Sequence, residues 1–379
     1  MKVLVIGAGV SGLFIALELL KRGVRDVIVV DAKYPGSGAS LRNIGCFRSS
    51  FTSPEHVVLM RESISRWLDI KREWGVYIEQ RGYIWVARRE ETLGAFRKLV
   101  EFHNSYGVPT RVIDVDELRA REPYMNTKVV VGALYDPTAG KMDVLEVFTQ
   151  LYLRVKKAGG RIMPYTPVTS LKTSGGRVVS AVTPRGEISA DVFIVAAAEG
   201  SKKVLKSLGV DLPIEAIPRH PIVTEPYEEV VRAGLVIDWD TPGSPHITQT
   251  LHGSIVLARD VKDEPWTPLT SQRLDAFVKI LKPLSELYPA LKYVNISRYW
   301  MGYYDMTPDH HPIYGPVYPY ENLFMAAGFS GHGLMMAPIT GELTADWVLE
   351  GKPKIKLAEN LTIDRFERGR LVKELAVVG

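Results

Sequence analysis

Residues 2–31, KVLVIGAGVSGLFIALELLKRGVRDVIVVD, constrain the fold more than any other stretch. Val3 to Ile6 is an apolar run of the kind found in a parallel strand buried on both faces. It runs into Gly7-Ala8-Gly9-Val10-Ser11-Gly12, a G-x-G-x-x-G turn. Leu13, Ala16, Leu17 and Leu20 then recur at helical spacing up to Gly23, and Val27 to Val30 reads as a second strand ending at Asp31. Gly7 permits the tight turn, Gly9 lets a pyrophosphate approach the backbone, and Gly12 lets helix and strand pack closely. The helix start offers unpaired N–H groups and partial positive charge to phosphates. Asp31 stands where an acid would accept from a ribose hydroxyl. The stretch predicts a dinucleotide site and leaves FAD and NAD both open.

A chain of 379 residues can build two lobes with cores. A net charge of +4 without any Lys/Arg-rich run gives no ground for nucleic-acid binding, although it allows contact with an acidic membrane surface. A single cysteine, Cys46, excludes an internal disulfide and a cysteine-held cluster; it lies in a loop with no evident base and is not expected to act as a nucleophile. No apolar run reaches membrane-spanning length, and a strand beginning at residue 2 leaves no room for a signal peptide, so a cytoplasmic location is expected, with peripheral attachment to the inner membrane face left open. Four Gln and six Asn in the whole chain suggest a thermophilic source.

After Asp31 a Gly/Ser-rich loop carries Arg42 and Arg48. Ser53-Pro54-Glu55 is a helix start, with Gly75 the stop. Strands are expected over Tyr83 to Ala87, Val129 to Leu134, Val168 to Lys172 and Val178 to Thr183, and helices over Arg89 to Tyr106, Asp143 to Lys157 and Ser271 to Tyr288. Val192 to Ala198, the longest apolar run of this kind, reads as a central strand of the nucleotide sheet. From Ile214 to Trp300 the pattern is β-rich with one helix and lacks βαβ repeats, as for a second domain.

Near the far end, Leu323 to Ala327 leads into Gly328-Phe-Ser-Gly-His-Gly333 and a helix expected from Met335 to Leu349. A second helix start aimed at a ligand would stabilise the negative charge of a reduced flavin, which a nicotinamide has no need of. This favours FAD, with Gly331 and Gly333 allowing close approach and His332 within reach of cofactor or substrate. The aromatic stretch Arg298 to Tyr304 could line a pocket for an organic substrate. The pair His310-His311 lacks metal-ligand spacing, so no metal is expected.

GAGVSG, the loop from Gly36 to Arg48, TPDHHPIYGP and AAGFSGHGLMMAPITGE occur in the order and spacing of a known family. The chain resembles, from residue 2 to about 370, the FAD-dependent amine and amino-acid oxidoreductases grouped with D-amino-acid oxidase, glycine oxidase and sarcosine oxidase. HITQTLHGS, WMGYYDMTPD and DRFERGR resemble most the catalytic β subunits of archaeal dye-linked L-proline dehydrogenases. The resemblance implies an α/β fold: a Rossmann-like FAD-binding domain formed by residues 1–80, 140–213 and 310–379, and an α+β substrate domain on a mostly antiparallel sheet formed by 81–139 and 214–309.

It also implies site residues. FAD would be met by Gly7, Gly9, Val10, Ser11, Gly12, Asp31, Ala32, Ser40, Arg42, Asn43, Gly45, Val168, Ala197, Gly302, Gly328, Gly331, His332, Gly333, Leu334 and Met335. Gly302 occupies the position of the cysteine that tethers flavin in monomeric sarcosine oxidase, which implies non-covalent FAD; FMN is expected only at an interface with a partner subunit. The strand around Val256 lacks the lysine that promotes reaction with oxygen, which implies a dehydrogenase rather than an oxidase. The oxidase's carboxylate-binding lysine is Met335 here, so the carboxylate partner is expected elsewhere; Arg48, which matches an active-site arginine of the family's loop, is the expected one, with Tyr304, which matches the substrate-contacting tyrosine, orienting the substrate and His252 or His332 setting the protonation of the amine. The implied reaction is oxidation of the C–N bond of a small amino acid, proline or another secondary amine, by hydride transfer. The acceptor would be a dye, a quinone or a partner flavoprotein, in a homo- or hetero-oligomer. Sarcosine, glycine or D-amino-acid oxidation and an electron-transfer subunit are the alternatives.

Overall fold

The computed structural model describes residues 1–260, 274–372 and 374–376. Contacts divide the chain into two compact units, one of Met1–Asn43, Val144–Ala216 and Tyr303–Leu375, the other of Ile44–Asp143, Ile217–Gly302 and Ala376–Gly379.

The first unit is built on a six-stranded sheet in the order Ile313–Pro316, Leu323–Ala327, Val192–Val195, Lys2–Ile6, Asp26–Val30, Arg161–Met163. Its pairs are parallel except the edge pair Ile313–Pro316 with Leu323–Ala327. Lys2–Ile6 is central, and its apolar side chains are buried on both faces, as an all-apolar parallel strand requires. The helix Val10–Lys21 packs against the last helix, Ala337–Glu350, where a Cβ on Gly341 would fall closer than 3.0 Å to the carbonyl of Phe14. A separate antiparallel sheet of Ser170–Ser174, Arg177–Thr183 and Gly186–Ser189 belongs to the same unit.

The second unit carries an eight-stranded sheet in the order Ile296–Tyr299, Ile222–Pro226, Ser254–Ala258, His246–Gln249, Leu235–Asp238, Tyr83–Ala87, Gly132–Asp136, Arg111–Ile113. It is antiparallel apart from Leu235–Asp238 beside Tyr83–Ala87. One core of this unit gathers Ile84, Val86, Ile247, Leu257, Ile280 and Leu284; another gathers Tyr83, Trp85, Leu134 and Ile237.

Several expected boundaries shift. The expected central strand ends at Val195 instead of Ala198, because Ala198 turns into the left-handed region at φ 48° before the helix Gly200–Lys206. The strand expected from Val129 starts at Gly132; Thr127–Val129 is a 3-10 turn in which the Asn126 side chain accepts from the Lys128 amide. The last helix starts at Ala337, two residues later than expected. The helix expected from Ser271 is seen as Leu274–Leu287, residues 271–273 lying outside those described. Residues 44–80, read from sequence with the nucleotide domain, cluster in the second unit, where Cys46–Phe47 and Ile78–Glu79 both pair with Gly140–Met142. Cys46 is therefore a buried strand residue and not a loop residue, and burial pushes its thiol up to about 11. Among the described residues no helix is long and apolar enough to cross a membrane.

Candidate cofactor and substrate sites

The first glycine turn is shaped by backbone against backbone. Gly7 has φ 116°, and a Cβ there would fall closer than 3.0 Å to the Ala196 carbonyl. The Gly7 amide donates to Val30 O at 2.8 Å, tying the turn to the neighbouring strand. Leu13 N is the first amide to find an intrahelical acceptor, Gly9 O. Helical geometry thus leaves Ser11 and Gly12 amides at the mouth of the helix. The Val10 amide donates instead to Ser40 Oγ at 2.9 Å, which brings the following loop over the turn. No acidic side chain occupies the first turn of this helix, so its partial positive charge is left for an external anion.

Asp31 does more than wait for a ribose. One oxygen accepts from the Ala8 amide and the other from the Lys33 amide, both at 2.8 Å. Each keeps a further lone pair for a hydroxyl. Arg42 donates to the carbonyls of Ser37 and Gly38, closing the loop on itself. Asn43 ends the first segment of this unit, and Ala32 is exposed beside Asp31. Ala197 donates its amide to Ser201 Oγ at 3.1 Å. Val168 points into the core with Ile6 and Val30, which leaves only its backbone for a ligand.

The second glycine turn lies in the same unit. Gly328 and Gly331 have φ 73° and 93°, and Ser330 between them has φ 52°. A Cβ on Gly331 would collide with the Tyr304 ring, and one on Gly328 with the Thr307 methyl. The Tyr304 ring and Gly331 are therefore in close approach. His332 is buried, its amide donating to Phe329 O at 2.9 Å and its carbonyl accepting from Met336 N at 3.1 Å. Leu334 and Met335 are buried in the turn that separates Gly333 from the last helix. This helix also has no acid in its first turn.

Two acids in this unit were not singled out by the sequence reading. Asp305 accepts from the Gly328 amide at 2.8 Å, and burial pushes its carboxyl up to about 7. Glu199 follows the central strand, and burial raises its carboxyl as well, with Arg42 and Lys33 opposing.

In the second unit Arg48 is fully buried. Its guanidinium donates to Ser50 O at 2.6 Å and Ala376 O at 2.5 Å, and lies over the Phe51 ring at 3.6 Å from the centroid. Gly45, with φ 77°, accepts through its carbonyl from Met142 N at 2.7 Å. Gly302, buried, ends the segment Ile217–Gly302 of the second unit. His252 stands on the hairpin between His246–Gln249 and Ser254–Ala258 with its side chain 77% exposed, 3.8 Å from Asp143. Val256 is buried on its strand, Ser254–Ala258, which carries no lysine. Among the described residues of this unit the buried lysine is Lys141, which donates to Gln249 O and whose ammonium burial pushes down.

The first turn, with its amides, its acid and its lack of room for any Cβ at Gly7 or Gly12, fits an adenine dinucleotide. Comparison with known proteins agrees. The family profile described as FAD dependent oxidoreductase, DAO, matches residues 2–347. The crystal structure of L-proline dehydrogenase from P. horikoshii superposes with a TM-score of 0.92 at 30% identity, covering 98% of each chain. Sarcosine oxidase subunit beta of Rhodobacter capsulatus is 26% identical, covering 100% of this chain and 91% of that one. Mouse mitochondrial sarcosine dehydrogenase is 26% identical over 93% of this chain, which spans only 40% of that protein's length. Rat mitochondrial dimethylglycine dehydrogenase is 25% identical over 94% of this chain, which spans 44% of its length. With the profile covering nearly the whole of a chain whose first turn is built for a dinucleotide, this protein belongs to the DAO family of FAD-dependent oxidoreductases.

Proposed function

We propose that the chain is an FAD-dependent dehydrogenase that oxidises the C–N bond of a small secondary amino acid, proline foremost, and passes the electrons to a carrier other than oxygen. The observation that carries this reading is the match to an L-proline dehydrogenase across 98% of both chains. FAD is held without a covalent link, since Gly302 offers no nucleophile. The Ser11 and Gly12 amides would take the pyrophosphate and Asp31 a ribose hydroxyl. Bound FAD supplies the hydride acceptor. The protein's own part is to bind and orient. Arg48 holds the substrate carboxylate by charge-assisted hydrogen bonds, releasing the Ala376 carbonyl as it does so. Tyr304 presents its ring beside Gly331, and His332 settles the amine proton. The named relative in R. capsulatus is a subunit, which supports a partner chain as electron acceptor, the one setting in which FMN would enter.

Anaerobic addition of L-proline is expected to bleach the bound flavin, with D-proline, sarcosine and a D-amino-acid panel as comparisons. A holoprotein whose spectrum stays oxidised with every amine would end the reading in favour of an electron-transfer subunit. Arg48→Met is expected to retain FAD while raising KM for the amino acid about 10- to 100-fold, the equivalent of about 1.5–3 kcal/mol for hydrogen bonds to a charged group. An unchanged KM would remove Arg48 from the site.

A further inference from the structure

The turn Gly328–Gly333 is strained: three of its first four residues have positive φ, one of them the serine Ser330. A backbone of this kind persists only where its surroundings over-determine it. Tyr304, Asp305 and Thr307 supply part of those surroundings. Asp305 Oδ2 accepts from the Gly328 amide at 2.8 Å, and the Asp305 carbonyl accepts from the Ser330 amide at 3.2 Å. Thr307 completes the clasp, its amide donating to Ser330 Oγ at 3.2 Å and its hydroxyl to His311 O at 2.7 Å. The Asp305 carboxylate is the one group of this clasp that can gain or lose charge.

We propose that Asp305 is a positioning residue for the flavin: its buried carboxylate fixes the second glycine turn and, by changing charge, adjusts how well that turn supports a reduced flavin. The inference rests on the FAD site and is independent of which amine is oxidised. Burial raises this carboxyl to about 7, inside the working range of an enzyme. The amides of Gly328 and Phe329 oppose that rise, and the carboxylate of Glu199 adds to it. Glu199 in turn faces Arg42, Lys33 and the Tyr303 phenol. As pH rises through the Asp305 value, a negative charge appears at the root of the turn and offsets the positive field of its amides. Electron uptake by bound FAD should then become less favourable.

The test is the midpoint potential of bound FAD from pH 5.5 to 8.5, with FAD affinity measured alongside. The wild-type plot is expected to break near pH 7. Asp305→Asn keeps one oxygen for the Gly328 amide but cannot ionise; it should hold FAD within threefold of wild type and lose the break. Glu199→Gln should move the break to lower pH without abolishing it. Asp305→Ala should loosen FAD at least tenfold; if that variant does not fold, the Asn variant alone decides. A break that persists in Asp305→Asn, or its absence from wild type, overturns the proposal. A wild-type chain that binds no FAD would instead overturn the cofactor site itself, and a chain that binds FAD but no amine leaves the Asp305 result readable.

Discussion

Arg365→Met is expected to destabilise the folded chain by about 3–5 kcal/mol, the usual cost of removing one partner of a buried ion pair. The Arg365 and Asp309 side chains are 2% and 0% exposed, and they meet in a fork: Nε to Oδ2 at 2.8 Å and Nη2 to Oδ1 at 3.0 Å. The remaining Arg365 donors reach His311 O at 2.9 Å, Leu361 O at 2.9 Å and Thr362 O at 3.3 Å. One guanidinium thus joins the strand-flanking Asp309 loop to the chain after the last helix. Methionine fills the space but leaves a carboxylate in a low-dielectric site and three carbonyls short of a donor. Urea unfolding gives the measure. Asp309→Asn in the Arg365→Met background should recover part of the loss, because the uncompensated charge is then gone. Burial alone would push the Asp309 carboxyl up; Arg365 overrides this and holds it below the ordinary value. The pair's contribution is therefore present above the ordinary carboxylate range and lost as pH falls through the lowered value. Without Arg365 the burial effect prevails, so the deficit of the variant should shrink on acidification, as Asp309 takes up a proton. A loss of about 1 kcal/mol or less at neutral pH, the range of surface pairs, would show that the fork contributes little.

This ion pair also shows where reading the sequence stops. Asp309 stands in a recognisable block, TPDHHPIYGP, but Arg365 lies 56 residues later, and no periodicity connects two residues that meet only through the fold. Features carried by local physics were legible. Ser53, Pro54 and Gly75 mark the helix Pro54–Trp74 at both ends, with Gly75 at φ 68°. All-apolar runs gave Tyr83–Ala87 and Leu323–Ala327. Leu235–Asp238 escaped because four residues make no pattern and its parallel neighbour is Tyr83–Ala87, far away in sequence. Both glycine turns were legible, since a turn without room for a Cβ must be written in glycine. The groups that hold those turns were not. Asp305 is an acid within an aromatic stretch, and nothing in its neighbours says that its carboxylate faces inward to the Gly328 amide. What the sequence does not give for Arg48 and His252 is their surroundings: the first is buried against backbone carbonyls and the second is open to solvent.

Gly12→Ala is expected to yield a protein that binds FAD at least about 100-fold more weakly, although a single methyl group is added to a helix. Alanine is otherwise the better helix former by about 1 kcal/mol. At Gly12 that gain is overwhelmed, because the Cβ would lie closer than 3.0 Å to the carbonyl oxygen of Gly7. Both partners are backbone, so no side chain can swing aside. Relief requires the helix Val10–Lys21 to move off the strand Lys2–Ile6, or Gly7 to turn away from Ala196, which its own Cβ-free surface now touches. Either movement shifts the Ser11 and Gly12 amides and breaks the spacing that lets several weak donors act on one pyrophosphate. Losing FAD also removes the stabilisation that any ligand of the native state provides, so the melting temperature should fall and cease to respond to added FAD. Gly94→Ala is the matched control. Gly94 lies inside the helix Glu90–Ser105, and nothing stands within 4 Å of a Cβ built there. That substitution should be neutral or stabilising by up to about 1 kcal/mol, with FAD content unchanged. Flavin absorbance per chain and thermal unfolding with and without added FAD read both variants. A yellow, fully loaded Gly12→Ala protein would mean that the close contact of helix and strand is not what builds the dinucleotide site.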